Sequence, residues 1–362
     1  MNQGTRRALT ILLTGLAFVV TAFCGGSAGA ADAGLKKFIA QGGAPVPYIA
    51  FAPIYVAQQA GFFKDEGLDV ELRYASGAAQ ATQIAAAGQA DIASVTVEPA
   101  INGYEKGIHG KVIMRTNNQL IYYIAVPEDS PIKRAEDLKG KKIGVANFGS
   151  SAVPVVRSIL RHAGIEPGPD TLLPVGVMQQ AIAALKSGSV QALGLYDGMY
   201  YGLERAGYKF RYIYHPTLAN FGNAGIFASD TEIKEKRPEL CGFARAYAKG
   251  ALFLIANPEA ALHMWWVVAP AARHGATDEE ATKNGIGELL QIAKSYDIGF
   301  PPKQKYGWID EKEFKEYMDL MKQEGVVGTV PAVNDIVTES FIGCVNQFDG
   351  DAVRKQARNW KF

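Results

Sequence analysis

The stretch KKIGVANFGSSAVPVVRS at residues 141–158 determines our prediction of the fold. A short apolar run at 142–146 is typical of a strand, and a Gly-Ser-Ser turn at 149–151 leads at once into a helical pattern. The first N–H groups of a helix have no partner inside it, and the helix dipole places positive potential at that end. We therefore predict that this turn is half of a ligand clamp for an anionic group, the other half lying elsewhere in the chain.

Length and composition describe a folded chain with room for about two domains. Of its 362 residues, 48% are hydrophobic and 20% are charged, which is usual for a protein with a packed core. The 37 basic residues nearly balance the 36 acidic ones. Basic side chains form no stripe and do not alternate with aromatic ones, so binding to nucleic acid is not expected.

The N-terminus has the pattern of an export signal. Arg6 and Arg7 precede an apolar run at 9–23, and an A-x-A cleavage site follows at 28–30. We predict a signal peptide over residues 1–30 and a periplasmic mature protein. Export by the general secretory route and by the twin-arginine route both remain open.

Residues that usually carry metal or catalytic chemistry are scattered. Cys241 and Cys344 remain after the predicted cleavage, and a disulfide or two buried thiols fit them equally well. The five histidines show no zinc-binding spacing, and both the G-x-S-x-G motif and the P-loop lysine motif are absent. We predict no catalytic residue, no metal and no cofactor.

The order of predicted elements repeats after about one hundred residues. A helix stopped by Gly88 leads to a strand at 90–95, and a helix stopped by Gly188 leads to a strand at 190–195. Strands joined by right-handed helical crossovers form α/β layers, so the repeat predicts two α/β lobes.

Two extended segments are expected to cross between these lobes, at 118–126 and at 211–228. After the second crossing the pattern is mainly helical, over 238–256, 258–268, 277–296 and 311–324. These helices are predicted to complete the first lobe. The expected organisation is a first lobe of 31–122 plus 223–362 and a second lobe of 123–222.

Several stretches, taken in this order, resemble one family. They are PIYVA at 53–57, GFFKDEGLDV at 61–70, AGQADI at 87–92, DSPI at 129–132 and DLKGKKIGV at 137–145, which leads into the Gly-Ser-Ser turn. The chain resembles the solute-binding proteins of ABC importers of the nitrate/sulfonate/taurine type, also called thiamine-pyrimidine-synthase-like. The resemblance implies a periplasmic-binding-protein fold of type II, with two α/β lobes on two hinge crossings.

Ligands of such open α/β sheets bind at the carboxyl ends of the strands. Gly149–Ser151 match the family's anion-holding turn, although an ordinary helix N-cap explains the serines as well. Glu98 and Asp197 follow equivalent strands of the two lobes. Two interpretations remain open: both are solvated loop carboxylates, or one of them accepts a hydrogen bond from an N–H group of the ligand. The family often has Glu-Pro where this chain has Asp197-Gly198. The candidate ligand-binding residues are Tyr48, Phe51, Tyr55, Glu98, Asn118, Phe148, Gly149, Ser150, Ser151, Tyr196, Asp197 and Asn223.

The expected function is non-catalytic capture of a small molecule between the lobes, by a monomer that delivers it to an inner-membrane ABC permease. A small organic anion or zwitterion, of the sulfonate or aromatic carboxylate class, is the expected ligand. One alternative is a pyrimidine or thiamine precursor. An enzyme of thiamine-pyrimidine synthesis is another, but its fungal members carry a cysteine-rich iron site that two scattered cysteines do not supply. A sensory module is the third.

Overall fold

The strands form two five-stranded sheets. The structure is a computed structural model that describes residues 34–218, 221–273, 275, 277–296, 305–323 and 327–361. The predicted signal peptide lies outside these residues. The strands are β1 (Lys36–Gly42), β2 (Leu68–Tyr74), β3 (Ile92–Thr96), β4 (Gly110–Arg115), β5 (Tyr122–Pro127), β6 (Ile143–Val145), β7 (Leu172–Pro174), β8 (Ala192–Tyr196), β9 (Phe210–Ile213) and β10 (Ala224–Ser229).

Helices cover the faces of both sheets. They are α1 (Ala52–Gln59), α2 (Phe62–Asp65), α3 (Ala78–Ala86), α4 (Glu98–Gly103), α5 (Ala152–His162), α6 (Gln179–Lys186), α7 (Asp197–Arg205), α8 (Asp230–Glu235), α9 (Arg237–Ala256), α10 (Pro258–Val268), α11 (Asp278–Ala293), α12 (Glu311–Gln323), α13 (Val333–Ile336), α14 (Ile342–Val345) and α15 (Gly350–Arg358). We call the first sheet with α1–α4 and α8–α15 the first lobe, and the second sheet with α5–α7 the second lobe.

The two sheets have the same topology. Their strand orders are β2-β1-β3-β10-β4 and β7-β6-β8-β5-β9. In each sheet three strands are parallel, and one strand that arrives from the other lobe, β10 or β5, pairs antiparallel. Each sheet is therefore completed by a strand that follows a crossing between the lobes.

The sequence repeat is confirmed in the register of the strands. Ala40 pairs with Ile92 in the first sheet, and Ile143 pairs with Ala192 in the second. The glycines that end the preceding helices, Gly88 and Gly188, both adopt the left-handed conformation, with φ of 69° and 74°. Glycine adopts this conformation without the steric cost that a side chain would bring. Equivalent turns therefore deliver both strands into equivalent positions.

The helices after β10 pack against the first sheet, in agreement with the predicted helical pattern. The ring of Phe243 in α9 stacks between Phe38 of β1 and Phe63 of α2, at centroid distances of 5.0 and 5.2 Å. A disulfide joins Cys241 in α9 to Cys344 in α14, so these two cysteines are not free thiols. The predicted residue boundaries of the lobes remain predictions.

Among the described residues, no helix by itself is both long and apolar enough to cross a membrane. In the part of the chain that the structure describes, one pair of helices, α9 and α10, reaches that length and apolarity together, and the two bend by 119° where they meet.

Candidate functional site

A cavity of about 80 Å³ lies between the two lobes, at the carboxyl ends of the central strands. Both lobes contribute to its wall. The aromatic lining residues are Tyr48, Phe51, Tyr122, Tyr196, Tyr247 and Tyr296, and the polar ones include Ser94, Thr96, Thr116, Asn117, Ser295 and Asp197. Ligand sites of this kind combine apolar walls with a few polar groups that orient the ligand.

Tyr48 connects the lobes across this cavity. It precedes α1, in the Gly/Pro loop that follows β1, and its backbone is extended. Its hydroxyl donates a hydrogen bond of 2.9 Å to Oδ1 of Asp197 in the second lobe. The Tyr48 ring also packs against that of Tyr196, with centroids 4.6 Å apart. The lobes are therefore in contact, an arrangement that we call closed.

Asp197 supplies the carboxylate of the cavity. It begins α7, and the N–H of Gly198 donates to its Oδ1 at 2.6 Å. It is partly exposed and lines the cavity. Burial raises the pKa of Asp197 to about 6, although the hydrogen bonds from Gly198 and Tyr48 lower it. None of the described residues that line this cavity is an arginine or a lysine, so this charge has no basic side chain beside it.

Glu98, at the equivalent strand exit of the first lobe, lies behind the wall. Its side chain has no exposed surface, and it accepts hydrogen bonds from Asn223 Nδ2, at 2.7 Å, and from the Tyr317 hydroxyl. Burial raises the pKa of Glu98. The two predicted acids therefore differ in their surroundings, because Glu98 is hydrogen-bonded to Tyr317 of α12 and Asp197 lines the cavity.

The predicted anion-holding turn contacts the first lobe through Ser151, and Gly149 and Ser150 line a second pocket of about 180 Å³. Ser151 Oγ accepts a hydrogen bond of 2.5 Å from the hydroxyl of Thr96 in the first lobe. Asn147 holds the turn from both sides, accepting from Gly149 N–H at 2.8 Å and donating to the Ser76 carbonyl at 2.6 Å. In the closed arrangement these groups bind protein atoms, and the turn does not line the cavity.

The structure brings Tyr48, Phe51, Tyr196 and Asp197 together in the cavity wall. Other predicted residues lie elsewhere. Tyr55 is in the first-lobe core, where its hydroxyl pairs with that of Tyr74 and its ring stacks on Trp265. The backbone N–H of Asn118 donates to the Ser295 carbonyl, and the side chain of Asn223 donates to Glu98. Phe148, which is 61% exposed, lines the second pocket with Gly149, Ser150 and Glu98. Ligand binding by these residues remains a prediction.

Sequence reasoning missed the contribution of the C-terminal helices to the wall. Tyr247 comes from the middle of α9, and Ile292, Ser295 and Tyr296 come from α11 and the turn after it. Tyr296 is held in place by a hydrogen bond from its hydroxyl to the Ala50 carbonyl, at 3.2 Å. No local motif marks these positions, because a tyrosine in an apolar helix has the pattern of a core residue.

The family profile described as NMT1/THI5 like matches residues 49–261, which is more than half of the chain. The chain belongs to the NMT1/THI5-like family. Within the described residues, no group of three histidine, cysteine, aspartate or glutamate side chains is placed to hold a metal ion.

Curated relatives of this NMT1/THI5-like chain carry names from two functional classes. It is 22% identical over 305 residues to the riboflavin-binding protein RibY of Chloroflexus aurantiacus, covering 82% of this chain and 84% of the relative. It is 24% identical over 279 residues to the formylaminopyrimidine-binding protein of Halalkalibacterium halodurans, covering 75% and 82%. Some relatives are instead named 4-amino-5-hydroxymethyl-2-methylpyrimidine phosphate synthase.

Solved structures confirm the predicted fold. The alkanesulfonate-binding protein SsuA of Xanthomonas axonopodis, bound to MOPS, superposes with a TM-score of 0.63 at 16% identity, covering 83% of this chain and 97% of that one. The NMT1/THI5-like chain therefore has the fold of the solute-binding proteins of ABC importers, the type II periplasmic-binding-protein fold.

Proposed function

We propose that this protein is the solute-binding component of an ABC importer. The observation that supports this most directly is the cavity, whose wall is built from both lobes and bridged by the Tyr48–Asp197 hydrogen bond. A molecule in this cavity touches both lobes at once, so binding and closure stabilise each other. The proposed function is capture without catalysis, by a monomer that delivers its ligand to an inner-membrane permease.

The proposed location is the periplasm. The pattern of the first 30 residues and the Cys241–Cys344 disulfide both support it, since disulfides form and persist in oxidising compartments.

The proposed ligand is a small, flat heteroaromatic molecule with N–H donors, such as a pyrimidine, because a cavity of about 80 Å³ is too small for a three-ring flavin. Aromatic side chains, among them Tyr122 and Tyr196, provide faces and edges against which a flat ring packs favourably. Asp197 provides a charged acceptor for a ring or exocyclic N–H group, and such charge-assisted bonds are the strong ones. This geometry favours the pyrimidine alternative of the sequence analysis over a simple anion, because a carboxylate repels an anion where no lysine or arginine compensates.

A zwitterion is the second candidate ligand. The charge of Asp197 favours it, because an ammonium group would pair with this carboxylate. Its sulfonate or carboxylate group would then point toward Thr96, which lines the cavity and donates a hydrogen bond to Ser151 of the Gly-Ser-Ser turn.

Isothermal titration calorimetry on the mature chain tests the proposal with five compounds. They are riboflavin, 4-amino-5-hydroxymethyl-2-methylpyrimidine, taurine, isethionate and nitrate. We expect binding of the pyrimidine, and riboflavin serves as the control for ligand size. Binding of taurine without isethionate would support the zwitterion, since the two differ by an ammonium in place of a hydroxyl. Preferential binding of isethionate or nitrate would refute the role of Asp197 as acceptor for a ligand N–H group. Chemical turnover of a bound compound would favour an enzyme of thiamine-pyrimidine synthesis.

A further inference from the structure

Gly198 is the point at which the second lobe approaches Tyr48 most closely. A Cβ atom at position 198 would lie 2.5 Å from Cε2 of Tyr48 and 2.8 Å from its hydroxyl oxygen. Both distances are far inside van der Waals contact. Gly198 is the second residue of α7, and its backbone is outside the left-handed region. Because alanine is the better helix former, helical geometry alone gives no reason for glycine there.

Three contacts hold the ring of Tyr48, and its remaining side faces the cavity. It packs on Tyr196 at 4.6 Å and meets Phe51 edge-on at 5.7 Å, while its hydroxyl is bonded to Asp197. Displacing the ring by the distance that a Cβ needs would break the Tyr48–Asp197 bond. The alternative is to move the lobes apart.

We propose that Gly198 is a positioning residue that sets how far the cleft closes. With only a hydrogen at this position, Tyr48 crosses to Asp197 and the walls meet. Any side chain at 198 holds the lobes apart. This inference rests on the capture function proposed above, and it adds the residue that limits closure.

A crosslink reports closure without any ligand. The hydroxyl oxygens of Thr96 and Ser151, one on each lobe, are 2.5 Å apart in the closed arrangement. In a parent variant carrying Thr96→Cys and Ser151→Cys, the two thiols form a disulfide only while the lobes are closed. The rate of its formation, followed by alkylation and gel shift, measures how often the cleft closes.

Gly198→Ala is compared with Gly202→Ala in this parent. Gly202 is in the same helix, and a Cβ there meets only the flexible end of Met178, at 3.2 Å. Both substitutions favour the helix, so thermal unfolding should show that both variants fold; Gly198→Ala should be the less stable of the two, because its Cβ also disturbs the Tyr48 contact. We expect Gly198→Ala to slow crosslinking by about tenfold or more, as overpacking of a filled contact does. We expect Gly202→Ala to leave the rate unchanged.

Removing the obstructing ring provides the rescue. Tyr48→Ala added to Gly198→Ala should restore the crosslinking rate of Tyr48→Ala alone. The proposal is overturned if Gly198→Ala crosslinks as fast as the parent, if Tyr48→Ala gives no rescue, or if the parent itself does not crosslink. Failure of every compound in the calorimetry panel would count against the proposed ligand and would leave this result unaffected, because no ligand is added.

Discussion

The substitution Asp197→Asn should make the protein more stable at neutral pH and above. Burial raises the pKa of Asp197 from its usual 3.8 to about 6. A pKa raised from 3.8 to about 6 corresponds to about 3 kcal/mol that the charged carboxylate costs the closed protein. Asparagine keeps an oxygen for the Tyr48 hydroxyl and the Gly198 N–H, but it carries no charge. The gain is an upper limit, because water in an open cleft would solvate the carboxylate.

The sign of the pH dependence follows from the raised pKa. Between about pH 4 and pH 6 the folded protein binds more protons at Asp197 than the unfolded chain does, so this group makes stability fall as the pH rises. Urea unfolding of the wild type and of Asp197→Asn should therefore give similar free energies at pH 4. The difference should grow to its full value above pH 6. Asp170→Asn, an exposed acid of the second lobe, is the matched control and should show no such divergence.

The same substitution should weaken ligand binding. A hydrogen bond to a charged group contributes about 1.5–3 kcal/mol, so the ligand identified by calorimetry should bind about 10- to 100-fold more weakly. Wild-type affinity should fall as the pH drops below about 6, where Asp197 becomes protonated, and Asp197→Asn should remove this dependence. Lower stability of Asp197→Asn at pH 8, or unchanged affinity, would refute the reasoning.

Three further substitutions test other parts of the structure. Replacing Cys241 and Cys344 by serine removes a bond that closes a sequence separation of 103 residues, and urea unfolding should show a loss of about 2–4 kcal/mol. Phe243→Ala, at a fully buried ring between two other rings, should cost about 3–5 kcal/mol in the same assay, and an exposed site such as Val267→Ala should cost far less. The double substitution Ser150→Ala with Ser151→Ala should reduce stability by about 1 kcal/mol, because both hydroxyls form hydrogen bonds with protein groups. For the same reason, the affinity measured by calorimetry should change less than about threefold. A larger loss of affinity would place the ligand at the turn.

Local pattern determined the elements of this protein and their repeat. Strand and helix periodicity, with glycine stops such as Gly88 and Gly188, depends on interactions within a few residues. These signals are complete in the sequence, so two similar α/β lobes and the later helices were predicted. The same reasoning predicts that three of the cavity-lining residues, Tyr48, Phe51 and Asp197, lie at the cleft, because each follows the carboxyl end of a strand and these strand ends meet there.

Only the tertiary structure decided which predicted residues share the cavity. Glu98 and Asp197 follow equivalent strands of the two lobes. Glu98 is hydrogen-bonded to Tyr317, which is more than two hundred residues away in the sequence, whereas Asp197 lines the cavity. The Cys241–Cys344 bond likewise depends on bringing two distant helices together. The Gly-Ser-Ser turn was correctly placed at the start of a helix, but its partners come from the other lobe. Contacts between lobes depend on packing over long separations, which no local pattern encodes.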